Sequence, residues 1–319
     1  MKAVKDHFPE RLQYAVSLFF PFLLVSLLWL TSLALQAAPK YNPPLFRLDS
    51  LLYEFSRQGG GGHEISPELQ QHRHVVELIG RGVLGIGEKI DSAGLFPAVG
   101  ERYAHPALLR LAEDVQRVYT REQLTLVHKE IVSAMRRLHK IRPQMPLPEV
   151  LYTHVSGFHQ RIVVAEGFLS VALDFYLGKN YSLYRTYFSP WQQGRSDIEH
   201  VAVDAVLGWL ISEYPEPREQ ALSLRDKFLY WGKIYTLMHK AFPWRSEAEL
   251  FGFTLSEWQW LKENKKHLLH NAKERGEFDS TAPVVIDKYF TDLPQGAALP
   301  KEAPRLIGPW LAYKYYKKL

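Results

Sequence analysis

Apolar and polar positions fall into three regimes along the chain. From Leu12 to Ala38 no charge occurs, and the apolar heart of that run, Ala15–Leu35, is almost unbroken. At about 21 residues it is long enough to cross a bilayer as a helix and longer than the core of an ordinary secretory signal. Two readings of residues 1–38 stand: a retained N-terminal transmembrane anchor, or a signal peptide cut near Ala37 and Ala38. Lys2, Lys5 and Arg11 precede the span. The positive-inside rule then keeps the N-terminus in the cytoplasm and exports the chain beyond the span to the periplasmic side of the envelope. Residues 39–64 carry Asn42-Pro43-Pro44 and the run Gly59–Gly62. They read as a linker with one short helical stretch, because glycine runs are costly to order.

The second regime has helical period. Ser66-Pro67-Glu68 opens a helix with Ser as cap and Pro in the first turn. Thr120-Arg-Glu-Gln123 is a capping box, and Leu124, Val127, Ile131, Met135 and Leu138 follow as one apolar stripe that must end before Pro143. The period then shortens. Val150–Val155, Arg161–Glu166 and Phe168–Gly178 are β-branched and glycine-bounded, which predicts three strands joined as hairpins. From Ser196 the helical period returns. Ser196-Asp-Ile-Glu199 predicts a helix over Asp197–Ser212, Ser223-Leu-Arg-Asp226 one ending at Pro243, and Thr254-Leu-Ser-Glu257 one stopping near Gly276. A last helix is expected over Arg305–Tyr316. Helices around a small antiparallel or mixed sheet give an α+β fold, with residues 65–319 as a single α-rich domain.

Composition narrows the chemistry. The 319 residues contain no cysteine, which removes disulfides, thiol catalysis, thiolate metal sites and a Cys-linked lipid. A net charge of +5, spread along the chain, excludes a dedicated nucleic-acid binder. Gly82, Gly85 and Gly87 lack the spacing and the preceding strand of a nucleotide loop and read as a helix terminus. With thirteen histidines, a His/carboxylate metal site is the natural test, yet HExxH is absent. His267 and His270 sit in a Lys-rich face. His200 and Asp204 are the better pair, one turn apart on a helix apolar on both sides. A buried Asp204 needs a partner, because an unpaired buried carboxylate is too costly; Lys233 is the candidate. GxSxG is missing. Trp209, Tyr230, Trp231, Tyr235, Trp258 and Trp260 recur at helical spacing, either as core or as a ligand-stacking cleft. The Tyr- and Lys-rich tail Trp310–Leu319 is amphipathic.

Several segments also resemble the GldB family, envelope lipoproteins of gliding bacteria. They are LSVALDFYLGKNYSLY (Leu169–Tyr184), Ile198 with Asp204, LRDKFLYWGKIYTLMHKAFP (Leu224–Pro243), FGFTLSEWQWLKEN (Phe251–Asn264) and PRLIGPWLAYKYY (Pro304–Tyr316). The resemblance covers roughly residues 45–319. It implies a zincin-like plan of gluzincin type, in which Asp197–Ser212 takes the place of a zinc helix and Leu224–Ala241 that of the second helix. Where relatives commonly carry Glu, this chain has Trp231. Lys265 and Pro304-Arg-Leu-Ile-Gly308 depart from the family pattern, and so does the missing lipobox cysteine.

The resulting expectation is a non-catalytic envelope protein with a degenerate metallopeptidase-like fold. It is anchored to a membrane through its N-terminal apolar segment, binds a polypeptide or protein partner by strand addition, and is linked to gliding or secretion. It needs no cofactor. Its cleft residues would be Asp174, His200, Asp204, Tyr230, Lys233 and Tyr235. The alternative is a metal-dependent hydrolase in which His200 and Asp204 hold zinc with a third ligand such as His239; a purely structural assembly subunit is the third possibility.

Overall fold

β1 (Leu45–Arg47) runs straight into α1 (Leu48–Arg57), inside the stretch expected to be a linker. Leu48, Leu52 and Phe55 of α1 are buried. Asp49, fully buried, accepts from Arg47 Nη2 at 2.6 Å, from Gln116 Nε2 at 2.8 Å and from the Thr153 hydroxyl. The compact unit begins at Pro43, so these elements belong to the packed body. The computed structural model describes residues 40–59, 65–87, 89–217, 221–292, 299–300 and 302–319. The apolar run Ala15–Leu35, with the choice between anchor and signal peptide, lies outside the described residues. Among the described residues no helix is long and apolar enough to cross a membrane.

α2 (Pro67–Gln71) starts where Ser66 Oγ accepts the Leu69 N–H. α3 (Arg73–Gly82), α4 (Ser92–Ala104) and α5 (Pro106–Val118) follow, α3 ending at the first glycine of the triple. α6 (Arg121–Ile141) carries the expected box, the Thr120 hydroxyl accepting from Gln123 N and the Gln123 amide oxygen from Thr120 N. Its stripe from Leu124 to Leu138 is buried and it stops before Pro143.

The sheet contains β1, β2 (Val150–His154), β3 (Ile162–Ala165) and β4 (Phe168–Ala172) in the order β1-β2-β4-β3. β3 and β4 form the expected hairpin, with Ala165 opposite Phe168. The expected β2–β3 hairpin does not form. β2 pairs in parallel with both β1 and β4, Val150 opposite Phe168 and Leu45 opposite Leu151. Burial explains the arrangement: β2 and β4 are buried almost throughout and take the centre, while β1 and β3 are half-buried and take the edges. β4 ends at Ala172, earlier than expected, because Leu173–Tyr176 turns into a short 3₁₀ helix.

Two one-turn helices, α7 (Tyr184–Tyr187) and α8 (Pro190–Gly194), lead to a second departure. The Ser196 box does not form. The Ser196 hydroxyl donates to the Gln192 carbonyl and is spent there, while Asp197 accepts the Lys179 N–H. His200 closes a 3₁₀ turn, and α9 proper is Val201–Glu213. α10 (Leu224–Ala241), α11 (Glu247–Phe251) and α12 (Leu255–Glu274) each begin with a complete capping box at Ser223, Ser246 and Thr254. α13 (Pro283–Phe290) and α14 (Gly308–Tyr316) complete the chain, α14 beginning at Gly308 because Leu306 is left-handed at φ 53°.

The result is a mostly helical α+β body around a small mixed sheet. α10 and α14 approach closely at Gly232, where a Cβ would stand 2.8 Å from the Ala312 carbonyl oxygen and run into Tyr316. On propensity alone Gly232→Ala would gain about 1 kcal/mol. Here it is expected to lower stability by about 1–2 kcal/mol, because the backbones must part. Urea unfolding of the two proteins reads the sign.

Candidate functional site

Three segments converge on one carboxylate. Arg161 precedes β3, Arg195 follows α8, and Asp204 lies in the first turn of α9, where the helix dipole favours negative charge. Asp204 Oδ1 accepts from Arg195 Nη2 at 2.6 Å; Oδ2 accepts from Arg161 Nη1 at 2.9 Å and from the Tyr176 hydroxyl at 3.1 Å. Each guanidinium also lies over an aromatic ring, Arg195 at 5.2 Å from Trp191 and Arg161 at 5.0 Å from Phe175. Gly252, at φ 71°, brings the end of α11 against Arg195, whose Cγ would lie 2.8 Å from a Cβ there. Burial alone would raise the Asp204 pKa, but the Arg195 and Arg161 charges outweigh it and hold it at about 2.

This cluster floors a cleft of about 420 Å³. Trp191, Trp231, Tyr235 and Phe290 wall it, and Ile162, Leu207 and Ile211 add aliphatic surface. The left-handed Leu306 also faces in. Glu216 lines the cleft too and accepts from Lys227 Nζ at 2.8 Å. Two buried polar atoms of its lining residues have no hydrogen-bond partner among the described residues, the Trp191 Nε1 donor and the Glu216 Oε1 acceptor.

One rim of the cleft is the sheet edge. Ala172 N–H donates to the Arg161 carbonyl at 2.9 Å, and Ile162 stands opposite Val171. Along an antiparallel pair the bonded positions alternate, so the N–H and C=O groups of Ile162 and Val164 point away from β4. The Gln160 side-chain amide caps the Ile162 carbonyl at 3.0 Å. Those of Val164 meet no partner among the described residues.

The expected site residues separate. Asp204 and Tyr235 line this cleft, Tyr235 stacked on Phe251 at 4.1 Å with burial raising its hydroxyl to about 12. His200 opens on a neighbouring depression that shares Trp191 with the cleft. Lys233 is exposed on α10 and is not the Asp204 partner. The Tyr230 hydroxyl donates to the Tyr214 carbonyl at 3.0 Å, away from the cleft lining. Asp174 is buried under a loop, accepting from Ser156 N at 3.0 Å and Phe158 N at 2.9 Å. His239 stacks on Tyr313 at 5.7 Å. Among the described residues no three His, Asp or Glu gather as a metal site. Arg161, Arg195 and Trp191 were missed by sequence reasoning, since nothing in their spacing marks them as neighbours of Asp204.

Two of the histidines, fully buried His154 and half-buried His200, contribute most to an acid response, and burial lowers the His72 pKa in the same direction. Burial holds fully enclosed His154 at about 4; burial and then the Arg195 charge hold His200 at about 4. Above pH 6.5 both are neutral folded or unfolded and contribute nothing. Below it the unfolded chain takes up protons that the folded one refuses, so stability falls from pH 6.5 to about 4. For His154 the loss is up to about 3 kcal/mol. Urea midpoints at pH 7, 5.5 and 4.5 are expected to fall less steeply in His154→Gln.

The chain's family is marked by one match. The family model described as gliding motility protein GldB matches residues 45–318, beginning at the first residue of β1. No curated protein matches the chain, and no solved structure does.

Proposed function

Because this chain belongs to the family of the gliding motility protein GldB, we propose that it is an envelope protein that binds a polypeptide and does not cut it. Its body lies on the periplasmic side of a membrane, tethered through the N-terminal apolar run, and its fold is a metallopeptidase-like plan without the metal. Membership in the family implies an envelope-associated lipoprotein; these 319 residues hold no cysteine to carry the lipid, and the apolar run supplies the attachment instead.

The observation that carries this reading is the commitment of Asp204 to Arg161 and Arg195. A carboxylate between two guanidiniums, with its pKa near 2, is a poor proton acceptor and faces cations where a metal would have to approach. The rest of the cleft suits a peptide. Next to Ile162 of the cleft lining, along the same strand edge, Val164 offers an N–H and a C=O without a partner among the described residues, so an extended segment can add to β3 as a fifth strand. Aromatic and aliphatic walls take its side chains.

A photoreactive benzoyl-phenylalanine at Leu207, on the cleft wall, tests it in cells that make the protein. The expected result is a covalent adduct with a polypeptide, absent when the same residue replaces Leu126, 65% exposed on α6. No polypeptide adduct, or equal yields at both positions, would overturn the reading.

A further inference from the structure

A second cavity, of about 530 Å³, lies where α4 meets α5. Its depth is aliphatic: Leu84, Leu108 and Leu111 are buried and face it, joined by Leu183. Its mouth is cationic. Arg102 and Arg110 line it, both exposed, and neither side chain makes an ion pair or hydrogen bond among the described residues. His105 and His159 stand beside them, and no carboxylate among the described residues lines the cavity.

One wall is held in a conformation that costs energy. Gly157 and Phe158 are consecutive left-handed residues, at φ 69° and 64°. A left-handed aromatic residue persists only when its surroundings fix it, and such positions cluster at ligand sites. The buried Asp174 carboxylate fixes this one by accepting the N–H groups of Ser156 and Phe158 on either side of Gly157. The loop thereby presses the Phe158 ring against Phe175, Tyr184, Tyr187 and Phe188, with centroids 5.2 to 6.0 Å apart. Asp174, expected as a cleft residue, instead sets the shape of a different cavity.

We propose that this cavity binds a single-tailed amphiphile with an anionic headgroup. Its aliphatic chain lies among the leucines and its headgroup meets Arg102 and Arg110. Two guanidiniums that make no ion pair among the described residues favour a carboxylate or a phosphate, both of which they engage through paired N–H donors. Branched aliphatic walls offer a tail burial but no polar partner, and the volume is that of a small-molecule site. The polypeptide cleft shares no lining residue with this cavity, so the two sites stand or fall independently.

Titration calorimetry below the micelle concentration tests it with dodecanoate, dodecyl phosphate and dodecyltrimethylammonium. The expected result is that at least one anion binds tenfold or more tightly than the cation; which anion wins identifies the headgroup. The double variant Arg102→Glu/Arg110→Glu, altered only at exposed unpaired side chains, should lose that preference at least tenfold. Ala107→Trp, which places a ring in the mouth, should abolish binding of all three. Equal binding of anion and cation, or unchanged anion binding in either variant, would overturn the assignment.

Discussion

Asp204→Ala is expected to cost about 3–5 kcal/mol of stability, the largest effect of any single substitution considered for this protein. The magnitude reflects the groups left behind. Arg195 is 4% exposed through its side chain and Arg161 20%, and their charges would face each other without the carboxylate between them. Tyr176 would lose the acceptor of its hydroxyl in a fully buried place. Asp204→Asn keeps shape and one acceptor but not the charge, and should fall between. Urea unfolding reads all three proteins. The pH dependence gives an independent check with a different window. The Asp204 carboxyl is held below its ordinary value, so its contribution is complete above about pH 4 and is lost as pH falls toward 2. The histidine response ends where this one begins. A cost below about 1 kcal/mol, the range of surface ion pairs, would mean that the two guanidiniums are not committed to Asp204.

Val164→Pro is expected to reduce the Leu207 adduct at least tenfold with little change in unfolding. The Val164 N–H points away from β4, so proline removes no bond of the sheet, and an edge strand tolerates it. A docked strand, in contrast, would lose a hydrogen bond and meet the ring. Backbone hydrogen bonds contribute about 1 kcal/mol each, so losing one together with a steric penalty gives a tenfold loss or more. Val163→Pro is the control: Val163 stands opposite Ser170 at a bonded position, and its proline variant should destabilise the fold itself. An adduct undiminished by Val164→Pro would remove strand addition from the account.

Much of this fold is legible in local chemistry. The boxes expected at Thr120 and Thr254 form, and the helix start expected at Ser223 proves to be one too, because each pairs two side chains with backbone three residues away and needs nothing distant. The Ser196 box fails because the Ser196 hydroxyl is bonded back to the Gln192 carbonyl of the preceding short helix, a competing partner that the S-x-x-E pattern does not reveal. The family resemblance is likewise carried by contiguous segments, and the match over residues 45–318 agrees with it. Strand order is a different matter. Three adjacent strands suggest hairpins, but only burial, which period alone does not give, separates central β2 and β4 from edge β3. The same limit applies to the cleft. Asp204 is readable as a carboxylate in need of a partner. That the partners are Arg161 and Arg195 depends on how α8 and the β2–β3 connection fold back. Neither arginine lies at helical or strand spacing from the face of α9 that they meet.

Zinc uptake puts the account to its most direct trial. The purified chain and its His200→Ala variant would be dialysed to equilibrium against micromolar zinc at pH 7 and the metal counted per chain. With Asp204 held by two guanidiniums, the account predicts no stoichiometric zinc that depends on His200. One zinc per chain in the parent protein, lost in His200→Ala, would contradict it and favour the alternative of a metal-dependent hydrolase using His200 and Asp204.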